Sequence, residues 1–182
     1  MSLTGLKIIE KIYADNTSAL AIIVNHGICV AQKALTIADR LEHLNPDRNF
    51  IYESAMLHDI GLLHTHAPTL GVSGKHPYIL HGILGRAMLE NLKLYRHAMV
   101  CERHIGVGLT IEDIKEQKLP LPIRDMVPTY LEEKIVCYAD KFFSKSPSST
   151  REKTPQEILE NLACYGQNKV SRFLRWMGQF GP

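Results

Sequence analysis

Residues 17–43, TSALAIIVNHGICVAQKALTIADRLEH, carry Ala19, Ile22, Ile23, His26, Val30, Ala34, Ile37 and Leu41 at steps of three and four. That spacing is the period of an α-helix with one buried face. Asp15-Asn16-Thr17-Ser18 supplies residues able to cap its first turn. The stretch predicts a long second helix reaching about His43, with His26 on its inward stripe.

Upstream, Ser2 is positioned to cap a first short helix through Ile12. Downstream, Asn45-Pro46-Asp47 breaks the pattern, and a third helix runs from about Phe50 to Ile60, with Gly61 in the place favoured for a left-handed C-cap. Pro68, Gly71, Gly74 and Pro77 mark residues 65–77 as a long loop of the kind that often carries function. Further helices are predicted over Tyr78 to Asn91, Leu94 to His104 (stopped by Gly106-x-Gly108), Thr110 to Gln117, and Pro128 to Phe143. A polar Ser144 to Thr154 loop precedes a last helix from Pro155 towards Met177. Strand-like alternation is weak everywhere, so the expectation is an all-α single domain over residues 1–182 with seven or eight helices. Its core motif region spans about 25–143, with a C-terminal helix of about 155–177 packed on it.

The 182 residues and 45% apolar content suffice for one sizeable core. A formal charge of +2, with 21 basic residues spread along the chain, leaves no basic patch of the sort that nucleic acid or a membrane surface attracts. Cys29, Cys101, Cys137 and Cys164 are widely spaced, which argues against a zinc-thiolate site or a disulfide framework and fits a reducing compartment. No run approaches the roughly 20 apolar residues that span a bilayer. These features predict a cytoplasmic protein with a small-molecule partner, and neither nucleic acid nor membrane.

His26, the His58-Asp59 pair, His81, His104 and Asp140 fall on or at the ends of different predicted helices, so a bundle can bring them together. Any one of the nine histidines alone is more often an ordinary helix residue than a ligand. The aspartates shift that balance. A carboxylate on a buried stripe costs several kcal/mol unless it is paired or metal-bound, and neither Asp59 nor Asp140 has a basic partner one turn away on the same face. Imidazole mixed with carboxylate suits divalent iron, manganese, nickel, cobalt or zinc better than calcium or magnesium. Four histidines and two aspartates are enough for two metals.

His26, then His58-Asp59-Ile60-Gly61, then Asp140 resembles the HD-domain phosphohydrolase superfamily, and within it the HDIG subgroup, over about Asn25 to Phe143. The resemblance implies an HD-type helical bundle and a metal-dependent phosphohydrolase. It further implies that His26, His58, Asp59 and Asp140 hold one divalent transition metal (iron, manganese, nickel or similar), while His81 and His104 hold a second. Asp59 would bridge the two, with Asp59 and His58 as the catalytic residues and a hydroxide shared by the metals as the nucleophile. The substrate class is a phosphate ester or anhydride of a nucleotide or other small phosphorylated molecule.

Lys75, Arg103 and Lys141 lie near predicted ligands and are candidates to bind substrate phosphates. Glu102 is a candidate partner for a ligand, and His64, His66 and His76 border or lie in the long loop, where an exposed position is expected. Residues 102–109 are also similar to the HD-GYP cyclic-dinucleotide phosphodiesterases but lack the Tyr-Pro and the paired histidine. The histidine spacing is similar to that of bacterial HD-type diadenosine tetraphosphate hydrolases. Two other readings compete: a mixed-valent di-iron oxygenase of the same superfamily, and a non-catalytic nucleotide-binding regulatory module.

Overall fold

The computed structural model describes residues 5–145 and 151–181. The Ser2 cap and part of the Ser144 to Thr154 loop lie outside them. Nine α-helices are formed among the described residues: α1 (Gly5–Ile12), α2 (Thr17–Arg40), α3 (Arg48–Leu57), α4 (His81–Asn91), α5 (Tyr95–Arg103), α6 (Ile111–Glu116), α7 (Leu131–Asp140), α8 (Pro155–Ala163) and α9 (Gln167–Phe180). The fold is all-α, with one helix more than the upper expectation.

Local chemistry sets most boundaries. Asn16 caps α2 by accepting from Ala19 N–H at 3.1 Å, and Asp47 caps α3 by accepting from Phe50 N–H at 3.0 Å. Thr110 with Asp113, and Thr154 with Glu157, form reciprocal capping boxes on α6 and α8. The α2 helix stops at Arg40, short of His43, because Glu42–Leu44 tightens into a 3-10 turn that ends at Asn45 in the left-handed region. The expected single C-terminal helix is two. At Gly166 the backbone takes φ 117°, which L side chains rarely adopt, and that breaks the chain between α8 and α9.

Two further expectations are corrected. Residues 65–77 contain a small antiparallel pair, β1 (His66–Ala67) with β2 (Val72–Ser73), too short to leave an alternating pattern in the sequence. Gly61 is not a left-handed cap. It sits in a 3-10 turn, Ile60–His64, jammed against the start of α4, where an added Cβ would lie 2.2 Å from the His81 carbonyl oxygen and 2.3 Å from Gly85 N. Glycine is needed there for close approach, and that approach sets the distance between the His58-Asp59 end of α3 and the His81 end of α4.

Among the described residues, the two larger of three apolar clusters hold most of these elements. Val30, Ala34 and Ile37 of α2 pack with Ile135, Val136 and Ala139 of α7 and with Phe173, Trp176 and Phe180 of α9. Ala19 and Ile23, further up the same α2 stripe, pack with Ile8 and Ile9 of α1 and with Met56, Leu57, Ala98 and Cys101. His26 lies between the two groups. By length and composition alone α2 is long and apolar enough to cross a membrane, which corrects the contrary reading of the sequence. In this fold its buried stripe packs on α3 and α7.

Buried polar contacts pin the segments beside the helix ends. The Tyr13 hydroxyl donates to the Ile60 carbonyl (3.1 Å) and accepts from Leu63 N–H (2.8 Å), bracing the turn after Asp59. From α9, Lys169 pairs with Asp113 and donates to the Gly108 carbonyl at 3.2 Å, while Arg172 donates to the Val107 and Gly108 carbonyls. These hold the turn that follows His104.

Because backbone atoms face Gly61, side-chain rotation cannot make room for a methyl group. We expect Gly61→Ala to destabilise the protein by about 3 kcal/mol, the upper part of the overpacking range. Chemical denaturation measures this, and a change below about 0.5 kcal/mol would show that the close approach is not needed.

Candidate metal centre

Six side chains converge where helices end. His58 closes α3 and Asp59 follows it, His81 opens α4, His104 closes α5 and Asp140 is the last residue of α7, while His26 reaches in from the middle of α2. All six are buried. Their donor atoms fall into two groups that share Asp59: His26, His58, Asp59 and Asp140 in one, Asp59, His81 and His104 in the other.

Backbone carbonyls three residues upstream aim three of the imidazoles. Nδ1 of His58 faces the Ala55 oxygen at 2.7 Å, Nδ1 of His81 the Tyr78 oxygen at 2.8 Å, and Nδ1 of His104 the Cys101 oxygen at 2.8 Å. A carbonyl can only accept, so each Nδ1 carries its hydrogen and each Nε2 points into the cluster. Oδ2 of Asp59 lies 3.5 Å from His26 Nε2 and 3.1 Å from His58 Nε2, while Oδ1 lies 3.4 Å from His81 Nε2 and 3.3 Å from His104 Nε2. Oδ1 of Asp140 completes the first group, 2.9 Å from His26 and 3.4 Å from His58.

Burial pulls the His26, His81 and His104 imidazoles below their ordinary value, His81 to about 3 with the neighbouring His104 adding to the effect. Burial also opposes charge on His58, but the Asp59 and Asp140 carboxylates outweigh it and raise that ring to about 9. For both aspartates burial favours the neutral acid and is overcome by cations: His58 and Lys145 hold Asp59 well below the usual carboxylate range, and Lys141 and Lys145 do the same for Asp140.

This donor set fits a cation on two counts. Neutral His81 and His104 bring Nε2 to Nε2 at 3.0 Å, lone pair against lone pair. Two nitrogens each about 2.1 Å from one ion and at right angles to each other would lie about 3.0 Å apart. Both oxygens of Asp59 are buried without a hydrogen-bond partner, as is Nδ1 of His26, so the neighbours at 3.0 to 3.5 Å touch Asp59 without hydrogen-bonding geometry. An acceptor left in that state is costly unless a cation meets it.

The surrounding charges differ in part from the expectation. Asp140 and Asp59 do have basic partners: Lys141 lies 2.7 Å from Asp140 Oδ2, and Lys145 lies 3.0 Å from Asp59 Oδ2. Neither is one turn away on the buried face, which is why helical periodicity missed them. Lys141 is tied down further by donating to the His104 carbonyl at 3.2 Å. Arg103 is not brought to the cluster, since its guanidinium is held by Glu133 at 2.9 Å and by Thr129 at 2.7 Å. Lys75 is exposed and makes no ion pair among the described residues. Glu102 is buried between Arg86 and Arg124, occupied as a structural anion. His64, His66 and His76 are exposed, with the backbone of His76 bonded to that of both His64 and His66.

The pattern of the HD domain family matches residues 23–144, a span that takes in all six residues. The chain belongs to the HD-domain family. It is 33% identical over 139 residues to uncharacterized protein MJ0778 of Methanocaldococcus jannaschii, covering 75% of this chain and 71% of that one. It is also 36% and 34% identical to the tRNA (cytidine(56)-2'-O)-methyltransferases of Picrophilus torridus and Thermoplasma volcanium, over 68% and 67% of this chain but only 32% of theirs. This HD-domain chain therefore spans about a third of those two relatives. In structure it is similar to the HD domain of the L. monocytogenes phosphodiesterase PgpH, with a TM-score of 0.56 over 95% of this chain and 86% of that one, at 18% identity. That likeness is one of fold.

A cation that binds the folded cluster and not the unfolded chain must stabilise the fold. We expect manganese or ferrous iron at about a hundred times its Kd to add about 2.7 kcal/mol for each site filled. For a chain of this size that raises Tm by roughly 5–10 °C, and a chelator reverses it. An unchanged Tm across a wide range of added metals would contradict the fit.

Proposed function

We propose that this HD-domain chain is a metal-dependent phosphohydrolase of the HDIG subgroup with a dinuclear centre. His26, His58, Asp59 and Asp140 would hold one divalent transition metal, and Asp59, His81 and His104 the second. The observation that carries the reading is the orientation of Asp59: one carboxylate oxygen faces the His26–His58 pair and the other faces the His81–His104 pair. A carboxylate so placed can relieve the repulsion between two neighbouring cations. When bound, such a metal pair supplies Lewis acidity at a phosphoryl group and lowers the pKa of a water to give the nucleophile.

The protein's own residues supply the rest. His58, His81 and His104 are locked in rotation by their Nδ1 contacts, so they present Nε2 without reorganisation. His58 must give up its proton to bind a cation, so loading the first group releases a proton. Asp59 and Asp140 keep their charge despite burial and lower the net positive charge of the centre. The surrounding apolar clusters exclude water and strengthen each of these interactions.

We propose a small phosphate ester or anhydride as substrate, a nucleotide included. An RNA oligonucleotide belongs in the same substrate panel, because two relatives are named for tRNA methylation.

The test is phosphate release by the metal-loaded protein from phosphomonoesters, diesters and nucleotides. Asp59→Ala, still folded, should lose more than about 100-fold in kcat/KM, exceeding the usual cost of removing a group that merely orients a ligand. Full activity of that variant would sink the reading, and oxygen consumption without phosphate release would turn it towards a di-iron oxygenase.

A further inference from the structure

Of the three basic residues that the sequence places near the ligands, two are engaged elsewhere or immobilised and one is exposed. The structure brings in a fourth. Lys145 lies beyond the C-terminal end of α7, five residues after Asp140, and sends its ammonium into the cluster, 3.0 Å from Asp59 Oδ2 and 3.9 Å from Asp140 Oδ1. Its side chain is 16% exposed, so the charge has left most of its water. Among the described residues, its acidic partners are the two aspartates of the candidate metal centre. Nearby is Tyr78, whose ring lies 4.9 Å from that of His81 and which is 40% exposed. Lys145 and Tyr78 thus stand where solvent meets the buried histidines.

We propose that Lys145 is the phosphate-binding residue of this chain, contacting a non-bridging phosphoryl oxygen of substrate seated on the metal centre. The inference rests on the phosphohydrolase reading. Its physical basis is charge balance. The two carboxylates that Lys145 faces are themselves assigned to the cations, and two divalent ions drawn to them would face the ammonium at close range. An anion between them relieves that repulsion, and a phosphoryl oxygen offers an acceptor for a charge-assisted hydrogen bond. Lys141 cannot take this part, because Asp140 and the His104 carbonyl already hold it. Arg103 is excluded by its bonds to Glu133 and Thr129.

The experiment compares the manganese-loaded full chain with Lys145→Met and Lys145→Arg, measuring bound metal per chain and the binding of inorganic phosphate by calorimetry. We expect Lys145→Met to hold its full metal complement, with affinity for manganese equal to or above that of the parent because a competing cation is gone. We expect it to lose about tenfold or more in phosphate affinity, as fits one lost charge-assisted bond. Lys145→Arg should recover most of that loss. Unchanged phosphate affinity in metal-replete Lys145→Met would overturn the proposal and leave the phosphohydrolase reading standing. Loss of metal from that variant would also overturn it, by showing that Lys145 supports the ligands. If the parent chain binds manganese but neither binds phosphate nor releases it from any ester, the phosphohydrolase reading falls and this inference with it.

Discussion

The carboxylate of Asp59 is 1% exposed, carries a full charge and has no hydrogen bond on either oxygen. Four imidazole nitrogens and one ammonium surround it at 3.0 to 3.5 Å. Isolating such a charge from water is among the more expensive arrangements a fold can hold, and it persists only where cations compensate it. The rest of the structure follows from keeping that carboxylate in place. The long α2 delivers His26 between two apolar clusters, and the ends of α3, α4, α5 and α7 deliver the other residues of the candidate centre. The Tyr13 bridge, the Gly61 approach and the grip of α9 on residues 107–108 each fix a segment adjoining one of those ends.

Placing these residues at helix ends has a physical advantage. A residue at an end can turn Nδ1 to a carbonyl of its own last turn, as His58 and His104 do, and so lock its ring without help from another element. His81 uses the 3-10 turn before α4 in the same way. His26, inside a helix, has no such carbonyl for Nδ1 and is held from the other side by Asp140 at 2.9 Å. The precision of the cluster therefore comes largely from local backbone geometry, with the two clusters of apolar side chains setting how the ends meet.

Much of this was legible in the sequence. The stripe from Ala19 to Leu41 announced α2 and its inward histidine, because burial of one helix face imposes a period. The six polar residues stood out because carboxylates on apolar faces need an explanation. Close approach was not legible: Gly61 looked like a cap, since a glycine at a helix end serves both purposes and only the position of α4 distinguishes them. Lys145 was hidden for a related reason. It lies in a polar segment without periodicity, and nothing local marks which way its long side chain turns. A single glycine inside a helical pattern is often tolerated, so the break at Gly166 shows only in its positive φ.

The central claim is that Asp59 joins two cations. Anomalous scattering from crystals of the manganese-loaded protein tests it most directly. The account predicts two peaks about 3.5–4 Å apart, the usual separation in two-metal sites, one beside His26, His58 and Asp140 and the other beside His81 and His104, with one Asp59 oxygen turned to each. A single peak, or two that Asp59 does not join, would contradict it.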